Sequence, residues 1–240
     1  MNCLRFWHTI GNIDIYQYSS MIECVSISKQ VGNGSQKAYL LQNIDLKIGQ
    51  GEFVSIMGPS GSGRCTLLHI LGLLADATNG SFCHQGEEVQ NIFEKKKNEV
   101  HRNIIAFVFQ AYHLLEGLTI SENIETPLLY KKMVGSERRS VVADILDKFI
   151  MVAKKDLFPH QLSGGQQQLV GIARALSINP KVILADEPTG NLHSEQAEEI
   201  MRLFKKLNER DGATIVQVTH SEYNVSFGQG IIKLKDGWIS

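Results

Sequence analysis

The stretch "LLQNIDLKIGQGEFVSIMG", residues 40–58, alternates apolar and polar positions on either side of a turn containing Gly49 and Gly51. A period of two predicts half-buried strands, here residues 40–48 and 52–57. A helix is predicted next, over residues 63–74. "NIIAFVFQ", residues 103–110, is a short apolar run that reads as a buried strand. Residues 121–155 are helical by pattern, broken near Pro127 and Gly135. "KVILAD", residues 181–186, is an apolar run ending in an acid, as expected of a buried parallel strand. Within residues 194–210, Ile200, Leu203, Phe204 and Leu207 fall on one face of an amphipathic helix. Residues 213–220 read as a further strand, and "GIIKLKDGWI" as a hairpin turned at Asp236 and Gly237. Strands and helices alternate after residue 52, so the expected core is a mainly parallel α/β sheet.

Four of these strands end in chemistry: Met57 runs into a glycine loop, and Gln110, Asp186 and His220 close three others. Ligands of open α/β sheets bind outside the carboxyl ends of the strands. The four endings therefore define one candidate site.

Composition narrows the setting. A chain of 240 residues can bury one sizeable core. A formal net charge of -1 gives no long-range attraction to nucleic acid or to an acidic membrane surface. Cys3, Cys24, Cys65 and Cys83 show no metal-site spacing and read as free thiols of a reducing compartment. No apolar run is long enough to cross a bilayer. The first 20 residues lack a signal-peptide pattern and read as an N-terminal extension, with a single domain over residues 21–240. The expected location is cytoplasmic.

The glycine loop is "GPSGSGRCT": Gly58, Pro59, Ser60, Gly61, Ser62, Gly63, Arg64, Cys65 and Thr66. Its spacing fits the phosphate-cradling pattern G-x-x-x-x-G-K-[ST], with Arg64 at the lysine position and Cys65 at the hydroxyl position. Glycines turn backbone N–H groups toward an anion, and the following helix adds its positive end. Neither contribution depends on residues 64 and 65. Arginine keeps the charge but is longer and planar. A thiol is a poor ligand for magnesium, which takes hard oxygen donors. Thr66 could supply a hydroxyl, one residue displaced.

"LSGGQ", Leu162, Ser163, Gly164, Gly165 and Gln166, pairs a serine with a glutamine three residues on. By itself this is either a capped helix start or a phosphate-approach site. In "VILADEPTG", Asp186 suits magnesium and Glu187 suits orienting an attacking water. Gln110 could bind magnesium or water, and His220 could donate to a terminal phosphate oxygen. Alone, each would read as an ordinary loop glutamine and a structural histidine.

The order "GPSGSGRCT", "FVFQ", "LSGGQ", "VILADEP", "NLHS", "VTH" resembles the nucleotide-binding subunits of ATP-binding-cassette (ABC) transporters, over about residues 21–240. "GEFVSIMGPSGSG", "HLLEGLTISENIETPLL" and "ADEPTGNL" are most similar to the branch serving lipoprotein release and macrolide or peptide export. The resemblance implies a P-loop NTPase core, an N-terminal antiparallel β subdomain and a helical subdomain over about residues 112–165. It implies ATP and Mg2+ as cofactors, and a dimer, expected to be a homodimer. In that dimer the loop and Asp186 of one chain and Ser163, Gly164 and Gly165 of the other hold each ATP. It implies separate permease subunits, met by the segment from Gln110 to about Pro127, and a place on the inner face of the cytoplasmic membrane.

Departures from the family pattern are Arg64, Cys65, Leu169 for an arginine, and His193 and Ser221 for aspartates. The adenine-stacking position falls near Val31, with Tyr39 the nearest aromatic. The expectation is an ATPase of a membrane export or release system, weakened by Arg64 and Cys65. The alternative is a subunit with little hydrolysis and a structural or regulatory role. A soluble cassette protein of DNA repair or translation is disfavoured, because neither a second cassette nor a long coiled-coil insertion is present.

Overall fold

A computed structural model describes residues 20–32, 37–90 and 92–240. The expected N-terminal extension lies outside these residues, apart from Ser20. Two sheets organise the chain. In the first, β2 (Ala38–Gly49), β1 (Ser20–Val31), β4 (Asn79–His84) and β5 (Glu87–Glu88) lie side by side in that order, all antiparallel. In the second, the order is β10 (Trp238–Ile239), β9 (Gly230–Lys235), β3 (Phe53–Met57), β8 (Thr214–Val218), β7 (Val182–Asp186) and β6 (Ile105–Val108). All its pairs are parallel except the β9–β10 hairpin. The two strands predicted around Gly49 and Gly51 therefore join different sheets. Asp236 and Gly237 both have positive φ, 51° and 83°, as a two-residue turn of the primed type requires.

The core follows the sequence pattern. Val182, Ile183 and Leu184 of β7 and Ile215 and Val216 of β8 are wholly buried, because helices cover the parallel sheet. Leu67, Leu68, Ile70 and Leu71 of α1 (Arg64–Leu71) pack into a cluster with Val54, Ile56, Leu184 and Val216. α1 stops earlier than the predicted residue 74. Gly72 caps it where the Phe107 ring fills the space a side chain would need, and Leu73 turns to φ 57°.

β6 is shorter than residues 103–110 because Asn103 still belongs to a helix, α2 (Glu94–Asn103), whose polar sequence gave no apolar period. Residues 121–155 form α3 (Ile120–Leu129) and α4 (Gly135–Lys148). Pro127 is accommodated within α3, and the break falls at residues 130–134. Ile120, Ile124, Leu128, Val142, Leu146 and Val170 make this region's own core. α5 (Gly164–Leu176) joins it to the sheet, while α6 (Ser194–Asp211) and the short α7 (Glu222–Val225) flank β8.

Cys24 and Cys65 are free thiols as expected. Cys83 is disulfide-bonded, which corrects the expectation for that residue.

Candidate functional site

The loop between β3 and α1 is shaped by close approach. A side chain on Gly63 would sit 2.5 Å from the Leu40 carbonyl oxygen, and its φ of 99° already favours glycine. Gly58 is closed in by the Leu234 carbonyl and Ser62 Oγ, whereas Gly61 faces open space at φ 79°. Ser62 is 2% exposed, and its Oγ has no hydrogen-bond partner. Gly63 precedes α1 in the left-handed region, without a side-chain cap. The first-turn N–H groups of α1 have no intrahelical acceptors, so the loop mouth is suited to an anion.

Opposite the loop, β7 ends at Asp186, and Glu187 takes φ 44° as the chain turns. Its backbone N–H donates to Val218 O at 3.0 Å, fixing the turn against β8. Arg64 Nη1 approaches Glu187 Oε1 at 3.4 Å, both side chains being 13% exposed. His220 Nδ1 lies 3.0 Å from both oxygens of the same carboxylate, and its ring is largely open to solvent. Cys65 Sγ lies 3.4 Å from Asp186 Oδ1. Burial, and then the neighbouring carboxylate of Asp186, push the Cys65 thiol up to about 11.

The Gln110 amide rests over the turn after Glu187: a side chain on Gly190 would meet its Nε2 at 3.0 Å. Asn191 Nδ2 donates to Gln110 O at 3.2 Å. A cleft of about 580 Å3 opens beside these groups, lined by Glu187, Gly190, Glu195, His220 and Ser221 among others.

The structure thus brings Arg64, Cys65, Asp186, Glu187 and His220 into direct contact and sets Gln110 over the adjoining turn. Residues 162–166 stand apart; among the described residues no hydrogen bond joins them to the loop. Ser163 caps α5 as expected: Gln166 N donates to Ser163 Oγ at 3.4 Å and Ser163 N donates to Gln166 Oε1 at 3.2 Å. Gly164 lies against the Tyr112 hydroxyl and Gly165 against the Gln196 amide, side-chain ends that a Cβ at either position would have to push aside.

The unusual residues take distinct roles. Leu169 packs between two apolar clusters. His193 precedes α6 without capping it, a job an aspartate would do. Ser221 does cap α7, accepting from Asn224 N at 3.4 Å. Tyr39 is exposed on β2, opposite Gln30.

Two residues escaped sequence reasoning. Gln168 is 1% exposed, and its Nε2 donates to Pro188 O at 2.8 Å and reaches Phe109 O at 3.4 Å, tying α5 to the ends of β7 and β6. A glutamine on an otherwise apolar helix face was the available signal. Asn123 is buried beneath the loop before α3, where its amide accepts from Leu115 N at 2.8 Å and donates to Leu118 O at 3.0 Å.

The donor set does not suit magnesium as a whole. Asp186 offers hard oxygens and Gln110 an amide oxygen, but Cys65 presents sulfur where an oxygen ligand would serve. Among the described residues, no three Asp, Glu, His or Cys side chains are grouped to hold a metal.

Residues 41–190 match the ABC transporter family. The chain is 45% identical over 219 residues to the uncharacterized ABC transporter ATP-binding protein MJ1508 of Methanocaldococcus jannaschii, covering 91% of this chain and 97% of that one. It is 42% identical over 220 residues to the macrolide export ATP-binding/permease protein MacB of Chlorobaculum tepidum, spanning 90% of this chain but only 33% of that protein. The fold superposes on the dimeric, post-hydrolysis structure of the ATP-binding cassette MJ0796 bound to ADP and Pi. The TM-score is 0.86 at 44% identity, over 92% of this chain and 97% of that chain. With a family match over the loop, the signature and the acidic strand end, and near-complete overlap with single-cassette relatives, this chain belongs to the ABC transporters as an ATP-binding subunit.

Proposed function

We propose that this subunit binds ATP at the 58–66 loop and hydrolyses it slowly, driving export or release through separate membrane subunits. The observation carrying the slow-turnover reading is the double hold on Glu187. Arg64 and His220 both engage the carboxylate that would orient the attacking water. Arg64 keeps positive charge at the loop, but its planar fork is paired with Glu187 at 3.4 Å. Phosphoryl transfer depends mostly on positioning and electrostatics, so a displaced cation lowers the rate more than the affinity. Asp186 and Gln110 suit a nucleotide-bound cation, and His220 a terminal phosphate.

Ser163, Gly164 and Gly165 would complete the site of a second copy of this chain in a homodimer, a reading supported by the dimeric structure of MJ0796. None of the described helices is long and apolar enough to cross a membrane, which fits a separate permease. The domain 21–240 would contain a helical subdomain over about residues 112–165. Its face toward the permease would include residues 111–118. Arg174 holds that segment from below, donating to His113 O at 2.7 Å and Tyr112 O at 3.1 Å. Charge reversal at exposed Glu116 should weaken co-purification with the membrane subunit and leave ATP affinity unchanged.

The deciding experiment pairs ATP affinity by calorimetry with phosphate release by the same protein. Binding with slow, measurable release supports the reading. Binding without release favours the structural or regulatory subunit, and absence of binding refutes both.

A further inference from the structure

The β7–β8 ladder ends at the pair Asp186–Val218, just short of Glu187 and His220. Glu187 N still donates to Val218 O, and past that bond no ladder holds the two segments together. The His220 ring is largely open to solvent, so packing does not press it against Glu187. A buried side chain joins the segments instead. Asn224 of α7 is 3% exposed, and its Nδ2 donates to Thr189 Oγ1 at 2.7 Å and to Thr219 Oγ1 at 3.3 Å. Thr189 follows closely on Glu187, and Thr219 directly precedes His220. Among the described residues, no other hydrogen bond joins residues 188–193 to residues 219–226. Thr189, Thr219 and Asn224 all line the cleft that Glu187 and His220 share.

Asn224 is itself braced. Gln217, wholly buried on β8 between Val216 and Val218, donates from Nε2 to Asn224 O at 3.0 Å and to Ser55 Oγ at 2.9 Å. Ser55 belongs to β3, the strand that feeds the glycine loop. Gln217 Oε1 has no partner. A buried, unpaired oxygen lowers stability, so stability does not explain a glutamine between two buried valines. The network runs from the loop strand through β8 and α7 to the Glu187 turn.

We propose that Asn224 is a positioning residue for ATP hydrolysis: by bridging the hydroxyls of Thr189 and Thr219 it sets the spacing between the Glu187 turn and the His220 segment. Its hydrogen bonds reach no residue of the 58–66 loop, so it acts through Glu187 and His220. A misplacement of about 1 Å costs up to about 10²-fold in rate. Without the bridge the turn and α7 move independently. That lowers turnover and leaves ATP affinity alone, because the loop's backbone donors depend on neither segment. The inference rests on the hydrolysis proposed above.

The test uses the full chain, with single-turnover release from radiolabelled MgATP, a fluorescent-ATP titration, and amide hydrogen exchange without nucleotide. Asn224→Ala should lower the rate at least about tenfold at unchanged ATP affinity. It should also speed exchange in residues 187–192 and 219–226 together. Thr189→Val deletes one bridged hydroxyl and should act the same way, while Thr189→Ser keeps the hydroxyl and should restore most of the rate. The Thr189 pair carries the test if Asn224→Ala fails to fold. Asn208 provides the control. Its buried Nδ2 donates to Gly51 O at 2.7 Å and Ala213 O at 2.8 Å, at the opposite end of β8. Asn208→Ala should lower the urea midpoint yet keep the rate and the exchange of residues 187–192. An unchanged rate or unchanged exchange at 187–192 in both Asn224→Ala and Thr189→Val overturns the inference. So does an equal loss of rate in Asn208→Ala. If the parent releases no phosphate, the hydrolysis reading falls and this inference with it. If the parent turns over and the variants break the expected order, the positioning role alone falls.

Discussion

Arg64 Nη1 stands 3.4 Å from Glu187 Oε1, so the cation of the glycine loop is paired with the acid expected to orient water. Shortening and re-aiming that cation should release the acid, and restoring a hydroxyl at position 65 should restore a hard metal ligand. The double variant Arg64→Lys with Cys65→Ser is expected to hydrolyse MgATP at least about tenfold faster than the parent, which is about 1.4 kcal/mol of barrier. Each single change should gain less, because both act on one metal–phosphate group. Steady-state phosphate release decides it. A double variant that binds MgATP and turns over no faster would shift the defect to His193 or Leu169.

Glu187→Gln should keep ATP affinity within a few-fold and lower any turnover by at least about 10²-fold, the usual scale of a lost general base. It should also favour the nucleotide-bound dimer in size-exclusion chromatography. Unchanged turnover would remove Glu187 from the water-orienting role.

Two loop glycines should respond differently to alanine. Gly61→Ala meets no atom within 4 Å and carries only the strain of φ 79°, about 1–2 kcal/mol. Gly63→Ala adds a 2.5 Å approach to the Leu40 carbonyl, a backbone atom that cannot swing aside. Urea unfolding should rank Gly63→Ala as the more destabilised. The opposite ranking would mean that the β2 backbone yields easily at Leu40.

His84, on β4, is 3% exposed, and neither ring nitrogen has a partner. Burial, assisted by the positive charge of Lys181, lowers its pKa from 6.5 to about 4. The folded state therefore resists protonation that the unfolded chain accepts. Stability is unaffected above the unfolded value, falls as pH drops from 6.5 toward 4, and levels off below. The shift corresponds to about 3 kcal/mol. His84→Leu should lose this component, so the gap between parent and variant should vary across that window in urea midpoints. Parallel curves would contradict it.

Much of this site could be read from local pattern. The loop spacing, the strand ends at Asp186 and His220 and the Ser163–Gln166 cap each lie within a few residues and obey short-range rules. The structure adds a second capping box of the same kind, with Thr119 N donating to Glu122 Oε2 at 2.7 Å, which the sequence reading did not pick out. α2 was illegible because "EKKKNEVHRN" buries only Val100 and has no apolar period. The Arg64–Glu187 and Cys65–Asp186 contacts were illegible for another reason. They span 123 and 121 residues, and only the β3–β8–β7 order brings their elements together.

Gln168 gives the chain an internal lever. Its amide fastens the helix that begins at Ser163 to Pro188 O, the carbonyl directly after Glu187. The interior has no slack to absorb a tilt of that helix. Movement at the Ser163 end, which would face a second copy in the proposed dimer, would therefore either carry the Glu187 turn with it or break a buried hydrogen bond. The surface that would grip a neighbour's nucleotide and the turn that carries the acid beside the chain's own loop are thus joined by a buried hydrogen bond as well as by apolar packing.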